Sequence, residues 1–418
     1  MQDANQLVEH LFRHQWGQLI AAMTRRFGFE RLDQIEDATQ EALLAALKSW
    51  PTRGIPASPE AWLHTVARNR LLDSLRSESR RNELASPLDT GIVLTSNSAP
   101  TEPAFRSEIA DEFLRLILHC CDPMLPSDAR VALTLQLACG FSTREIAAAF
   151  LSSEDTIAKR IYRAKARLTA NPPSQDNSTV DLLPGRLDSL LEVIYLLFNE
   201  GYSSHGHADL VRYELCAESL RLARLLTSDL RIANPRVFAL AALICIQSAR
   251  LSSRVGFCHE LLLLENQNRL LWDQSLISEG LGYLDQAASG SVISRYHLEA
   301  GIAACHAAAP SYADTDWNQI LFYYDQLLEL FPDDLVRLNR AVAFAKVNGP
   351  RAALRELPPE TGQVQKYYLY HATVADLQVQ TGDRAAAIPH FRRAIELAPS
   401  PAEREFLRRR LSECENGQ

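Results

Sequence analysis

The stretch from Asp128 to Leu168, DARVALTLQLACGFSTREIAAAFLSSEDTIAKRIYRAKARL, limits what this chain can be more than any other. Its apolar positions recur at helical spacing and are broken by turn chemistry, which predicts a helix-turn-helix behind a support helix. Ser142-Thr143-Arg144-Glu145 is a capping box, in which the serine hydroxyl accepts an orphan N–H and the glutamate reaches back. The helix it opens is expected to bury Ile146, Ala147 and Phe150. Leu151 and Ser152 make a short turn, and Ser153 caps a second helix with the apolar line Ile157, Ile161, Ala164 and Leu168. The opposite face carries Thr156, Lys159, Arg160, Arg163 and Arg167, with no acid between Thr156 and Arg167. A short helix with one apolar and one cationic face suits the major groove of DNA. Its cations would neutralise phosphates, and only its first turn would reach base edges. The competing reading is a solvated basic helix in an ordinary bundle.

The net charge of the 418-residue chain is −8, which at first argues against nucleic acid. The excess is not evenly spread. Residues 1–170 hold 20 Lys and Arg against 21 Asp and Glu, and the remainder carries the net −7. Clustering of charge within the first part matters more for binding than its sum. The length allows two or three domains. The first 20 residues show no basic region followed by an apolar run, so no export signal is expected. No uninterrupted apolar stretch reaches the ~18 residues of a membrane helix. Eight scattered cysteines without a C-x-x-C pair indicate neither a zinc site nor a disulfide framework. Buried free thiols in a reducing cytoplasm are the simplest reading.

Helical periodicity is continuous through residues 1–83, which are read as one helical domain. In LDQIEDATQEALLAALKSW, from Leu32 to Trp50, Ile35, Ala38, Ala42 and Ala45 are expected to point inward. Asp37, Gln40 and Glu41 then share one outward face. That face is either simply solvated or a contact for a basic partner. The segment PTRGIPASP, residues 51–59, is expected to break the helix at each of its three prolines. The next helix starts at Pro59-Glu60 and is expected to bury Trp62, Leu63, Val66, Leu71, Leu72 and Leu75. Its polar side carries Arg68, Asn69, Arg70, Arg76, Arg80 and Arg81. Cations and an aromatic beside a rigid loop offer phosphate contacts and a place for an unstacked base.

These residues carry a resemblance. Asp37-x-x-Gln40-Glu41, a proline-rich loop, and Trp62-Leu63-x-x-Val66-Ala67-Arg68-Asn69-x-x-x-Asp73 resemble region 2 of bacterial sigma factors of the extracytoplasmic-function (ECF) group. The helix-turn-helix resembles their region 4, in the same order and at a similar separation. The resemblance implies an interaction protein with no catalysis and no cofactor, whose partners are the RNA polymerase core (β′ clamp helices and β flap) and promoter DNA. Asp37, Gln40 and Glu41 would dock on the clamp helices. Trp62, Arg68, Asn69 and Arg76 would handle the −10 element, and Glu154, Thr156, Lys159, Arg160 and Arg163 the −35 element. Many members of the family have glycine where Leu151 stands here, so this turn is expected to be built differently.

Leu84 to Phe105 is rich in Ser, Thr and Pro and reads as a linker, either a passive tether or a segment threaded through polymerase as in the family. Residues 106–170 form the helix-turn-helix domain, with a further helix ending at Cys121-Asp122-Pro123. NPPSQDNSTV, residues 171–180, is a second linker. The remainder, 181–418, is a helical extension. Gly349-Pro350-Arg351-Ala352-Ala353 returns as Gly382-Asp383-Arg384-Ala385-Ala386, and the second copy continues to Ala387, Phe391, Ala394 and Pro399, with Ala375 ahead of it. That is tetratricopeptide-like spacing, clearest over 311–400, with Tyr324 to Pro332 as the tail of a further repeat. Residues 181–310 do not scan as repeats. LLFNEGYSSHGH, LLLLENQNRLLWD and the TDW at 315–317 resemble a sigma-factor subgroup with a long helical extension. The fold class is therefore all-α throughout.

Catalysis finds little support. Glu200, His205 and His207 lack a further ligand at useful spacing for a metal. Gly201 in the Asn-Glu-Gly-Tyr turn is expected as a left-handed helix cap. No phosphate loop or serine elbow occurs. Three classes remain: a cytoplasmic sigma factor whose extension regulates or enables it in cis and takes a peptide or protein ligand; a DNA-binding regulator with a repeat sensor domain; and a metal enzyme built on the C-terminal block. The second leaves residues 1–83 unexplained, and the third rests on a weak His-x-His.

Overall fold

The structure is a computed structural model and describes residues 2–83, 102–150, 152–170, 182–183, 185–202, 211–256, 262–360 and 364–416. Among these residues the elements are helices, and no strand occurs. The chain divides into two compact units, Met1–Val193 and Ile194–Gln418. The second expected linker and Leu151 lie outside the described residues.

The first unit contains α1 (Gln2–Phe27), α2 (Leu32–Arg53), α3 (Pro59–Glu83), α4 (Glu102–Cys120), α5 (Ser127–Leu137), α6 (Thr143–Ala149), α7 (Glu154–Ala170) and the first turns of α8 (Leu187–Tyr202). Helix α2 runs through Pro51 and stops at Gly54, whose φ of 83° ends it and whose N–H still reaches Trp50 O at 3.0 Å. The expected break at Pro51 is thus displaced by a turn, because a proline near a helix end forfeits little. The expected inward line of α2 holds at Ile35, Ala38 and Ala42 and fails only at its last position. Ala46 is fully buried and Ala45 only half-buried. On α3, Leu63, Ala67, Leu71 and Leu75 form the buried line, while Trp62, Val66 and Leu72 sit half-buried at its margin. Helix α4 starts at Glu102, inside the segment expected as linker.

The two halves of this unit, residues 2–83 and 102–170, pack directly on one another. Gly17 of α1 faces the end of α5 so closely that a Cβ there would lie 2.1 Å from Ala138 O. The indole N–H of Trp16 donates to Gln136 O at 3.0 Å, and Phe29 meets the His119 ring edge-on at 5.1 Å. Burial pushes His119 down to about 3, with Arg186 and Arg115 adding to the effect, so the ring is neutral in this contact. The start of the extension belongs here too. Arg186 donates to Leu118 O at 3.0 Å and to Asp122 at 2.8 Å, closing the end of α4. Glu192 accepts from Ser127 at 2.9 Å and from the largely buried Arg130 at 3.0 Å.

The second unit continues with α9 (Tyr213–Ser228), α10 (Pro235–Ser248), α11 (Gln274–Ala287), α12 (Arg295–Ala308), α13 (Trp317–Leu330), α14 (Asp334–Asn348), α15 (Pro350–Glu356), α16 (Tyr368–Gln380), α17 (Arg384–Leu397) and α18 (Pro401–Glu415). The segment Pro235–Ser253, which contains α10, is apolar enough by composition to cross a membrane, yet 61% of that stretch is buried, as a core helix requires. The motif residues of the extension meet around it. The guanidinium groups of Arg250 and Arg269 lie 5.6 and 4.9 Å from the centre of the Trp272 ring. Arg269 also donates to Ala309 O at 2.6 Å and to Thr315, which closes the C-terminal end of α12. Arg254 stacks 3.6 Å from the Tyr202 ring and donates to Tyr202 O, closing α8. Asp273 caps α11 and Asp316 caps α13. Gly201 is helical rather than left-handed. Its missing side chain lets α9 approach, since a Cβ would meet Cys216 N at 2.9 Å.

The repeats appear as paired helices. Gly349 and Gly382, at φ 85° and 87°, turn α14 into α15 and α16 into α17 in the same left-handed way. Ala341 and Ala353 in one pair, and Ala375 and Ala387 in the other, are fully buried where the helices cross. Phe391 and Ala394 fill the remaining space with Leu407 of α18.

Burial raises the Glu200 carboxyl to about 7, against a smaller opposing effect of Arg212. A raised carboxyl pKa means that the unfolded chain ionises first, so stability falls as pH rises from the ordinary value towards 7. Glu200→Gln is therefore expected to raise the thermal midpoint at pH 8 and to leave it nearly unchanged at pH 4.5. An equal shift at both values would contradict the assignment.

Candidate functional site

Helix α7 is built as its spacing requires. The Ser142 hydroxyl accepts from Glu145 N at 3.2 Å and the Glu145 carboxylate accepts from Ser142 N at 2.8 Å, so α6 opens on the expected box. Ile146 and Ala147 are buried. Phe150 is the residue that ends α6 and is only half-buried, because its backbone has already left the helix at φ −100° and ψ 17°. Ser153 Oγ accepts from Thr156 N at 3.1 Å and caps α7. Ile157, Ile161, Ala164 and Leu168 are its buried line.

The cations of α7 divide into three groups. Lys159 pairs with Asp155 at 2.6 Å, and Arg160 with Asp128 of α5 at 2.8 Å. Arg163 and Arg167 are exposed and form no ion pair among the described residues. With Thr156 and Arg160 they line an open cleft of about 540 Å³ between α5 and α7. Lys165 lies on the other flank. It reaches Glu36 of α2 at 2.5 Å, and both side chains are about 85% buried, at 14% and 15% exposure. Burial raises the Glu36 carboxyl above its ordinary range, opposed by the Lys165 charge and hydrogen bond.

On α2, Asp37, Gln40 and Glu41 are exposed together, as their spacing requires. Leu44 continues that face at 47% exposure, and Glu41 lies 3.5 Å from Arg70 of α3. At the other end of α2, buried Trp50 and half-buried Trp62 meet at 5.7 Å with rings tilted by 60°. Among the described residues neither the Trp50 indole N–H nor the shielded Nε of Arg68 has a hydrogen-bond acceptor. Asn69 and Arg76 are exposed, and Arg76 lies 3.5 Å from Asp73. His64, on the same helix, is pushed down to about 4 by burial and is neutral.

Asp37, Gln40 and Glu41 are thus exposed together, whereas the α3 set divides between half-buried Trp62 and Arg68 and exposed Asn69 and Arg76. The structure also adds residues that the spacing did not single out. Leu44, four residues after Gln40, was available from the helical period. Trp50 falls in register with Ala46 and Ala42. The pairing of Glu36 with Lys165, 129 positions apart, leaves no local trace. No group of three potential metal ligands occurs among the described residues; His205 and His207 lie outside them.

Comparison with known proteins bears on these surfaces directly. Residues 12–81 match Sigma-70 region 2, and residues 115–168 match Sigma-70 region 4. The ECF RNA polymerase sigma factor SigL of Mycobacterium tuberculosis is 32% identical over 132 residues, 31% of this chain and 70% of its own. The chain belongs to the ECF sigma factors. It directs transcription initiation, with RNA polymerase core and promoter DNA as its partners. The ECF RNA polymerase sigma factor EcfG of Rhodopseudomonas palustris is 33% identical over 138 residues, 33% of this chain and 71% of its own. Residues 186–288 match a family of unknown function (DUF6596). An uncharacterized protein of Rhizobium meliloti is 39% identical over 391 residues, 92% of this sigma factor and 90% of that chain, so the likeness includes the extension.

Within this sigma factor the region 2 and region 4 halves are joined by a buried charge pair, and its removal has a definite sign. Breaking a buried pair on one side strands a charge and costs up to about 3–5 kcal/mol, whereas replacing both partners with apolar groups is far milder. Glu36→Gln or Lys165→Met should each lower stability to chemical denaturant, and Glu36→Leu with Lys165→Met together should recover most of the loss. Additive losses in the double variant would mean that the two side chains do not act as a pair.

Proposed function

We propose that this sigma factor engages polymerase and promoter through three surfaces. Asp37, Gln40 and Glu41, extended by Leu44, dock on the β′ clamp helices. Trp62, Arg68, Asn69 and Arg76 hold the melted −10 element. Thr156, Lys159, Arg160 and Arg163, with Glu154 at the helix start, read the −35 duplex, while the region 4 half also meets the β flap. The division of labour follows the domain boundaries at 1–83, 106–170 and 181–418, with linkers between them, and the protein works in the cytoplasm. One observation carries this reading best. The acidic–polar face of α2 and the cationic face of α7 are both open to solvent, although the helices that bear them are otherwise packed.

Asp37→Arg with Glu41→Arg should abolish binding to core polymerase. Both sites are exposed, so stability should change by no more than ~0.5 kcal/mol. Arg163→Ala should weaken promoter binding at all sequences and lower the salt slope by about one unit. Permanganate reactivity downstream should survive that substitution and be lost in Arg68→Ala with Asn69→Ala. A double charge reversal that still binds polymerase normally would refute the docking assignment.

The extension is proposed to regulate or enable the sigma module in cis and to take a peptide or protein ligand. Its first turns support this, because Arg186 and Glu192 close the end of α4 and satisfy Arg130. A cut after Ala170 would strip those bonds and damage region 4 by itself, so a cut after Tyr202 is the cleaner test. Higher promoter activity of that shortened chain means masking, and lost activity means bracing. Transcription equal to that of the full chain would remove both roles.

A further inference from the structure

Two histidines face one another in the last helical pair, His371 in the first turn of α16 and His390 on α17. His371 is 1% exposed and His390 is half-buried. Ala375, Ala387 and Phe391 of the same two helices form an apolar seam, so two imidazoles brought inside need polar partners. The ring centroids lie 5.7 Å apart with planes inclined by 28°, and the two Nδ1 atoms approach to 3.4 Å.

The tautomer of His371 follows from its other nitrogen. Nε2 lies 3.0 Å from Gln365 O, and a carbonyl oxygen only accepts, so Nε2 carries the hydrogen. Nδ1 of the neutral ring is then a lone pair facing His390. Metal-ligating histidines are held in this way, with one ring N–H on a backbone carbonyl and the other nitrogen free to bind. The spacing fits as well. Two nitrogens each about 2.0–2.1 Å from a tetrahedral zinc ion stand about 3.4 Å apart. Glu360, exposed on the bend after α15, brings Oε1 to 3.9 Å from Nδ1 of His371. That is about 0.5 Å beyond the edge of a tetrahedral site. The three groups stop short of a complete ligand set: two nitrogens are preset, and the third ligand is a small movement of an exposed side chain away.

We propose that His371 and His390 bind a divalent transition-metal ion through their Nδ1 atoms, with Glu360 as third ligand and water in the fourth position. Two imidazoles and one carboxylate suit zinc, copper or nickel, whereas magnesium and calcium take oxygen ligands. A ring hydrogen shared between the two nitrogens would occupy the same gap. A metal ion displaces it, because histidine ligates in its neutral form with a lone pair on the binding nitrogen. The ion would tie α16 and α17 to the segment that follows α15, at the junction of two repeats. The inference goes beyond the regulatory reading of the extension and does not rest on it, since the ligands alone define the site.

The test titrates zinc chloride into the full chain, freed of metal with EDTA, by calorimetry in a buffer that does not bind zinc. His390→Gln is the main variant, because its amide still donates to Nδ1 of His371 while the ligand nitrogen is gone. The wild-type chain should bind one zinc ion more than His390→Gln, and zinc should raise the thermal midpoint of the wild type by more than that of the variant. Cobalt in place of zinc should give the visible absorption of a four-coordinate ion in the wild type and lose it in His390→Gln. Glu360→Gln, at an exposed site, should keep the ion at least about tenfold more weakly, since even outer-sphere partners are worth that much. Equal zinc stoichiometry in the wild type and His390→Gln, or no zinc bound by the wild type up to about 1 mM, overturns the proposal and leaves a shared ring hydrogen. Unchanged affinity in Glu360→Gln overturns the third ligand. These readouts involve neither polymerase nor promoter, so their failure leaves the proposed surfaces of the sigma factor untouched.

Discussion

The first unit depends on the burial of one charge pair. Glu36 and Lys165 leave water together, and neither could stay there without the other. Around them the apolar contacts of Trp16, Gly17 and Phe29 set how closely the region 2 and region 4 halves approach. Helical phase then does the rest. Glu36 points into the unit and Asp37, one residue later and 100° further round α2, points out. On α7, Lys165 and Arg163 are two residues and about 200° apart, so one faces the unit and the other solvent. The buried pair and the exposed polar faces thus lie on different sides of the same two helices.

In the second unit the comparable constraint is how helix ends are closed. A buried helix end leaves carbonyl groups without partners. Here arginines fill that role. Arg254 closes α8 and Arg269 closes α12, each stacked on an aromatic ring that shields its charge. Helix C-terminal ends carry partial negative charge, so the guanidinium groups sit where the dipoles favour them. Burial nevertheless lowers the pKa of Arg250 and Arg269 below the ordinary arginine value. This explains why NRLLWD, NEGY and TDW stood out in the chain although none has catalytic spacing. They are cap, stack and hydrogen-bond partner of one structural knot.

What was legible in the sequence was what helical periodicity and capping chemistry encode. The apolar line of α7, the Ser142–Glu145 box, the outward face of α2 and the crossing alanines of the last repeat could all be read locally. Readings failed where tertiary contact decides. Ala45 and Ala46 are equally good helix formers, and only the neighbouring α3 selects which is buried. Pro51 is tolerated because Gly54, not the proline, ends the helix. Gly201 resembled a cap, but the approach of α9 gives it a packing role. Neither the Glu36–Lys165 pair nor the attachment of Glu192 to Arg130 has any local signature.

The free state of α7 also indicates where its affinity for DNA comes from on the proposed reading. Lys159 and Arg160 must exchange Asp155 and Asp128 for phosphates. Exposed pairs of this kind contribute only about 0–1 kcal/mol, so the exchange is cheap but its net gain is small. Arg163 and Arg167 have no ion-pair partner among the described residues to release, so their contacts would displace only solvent and counterions. On that reading Asp155 and Asp128 compete with phosphate for Lys159 and Arg160, so these two cations add less to duplex affinity than Arg163 and Arg167 do.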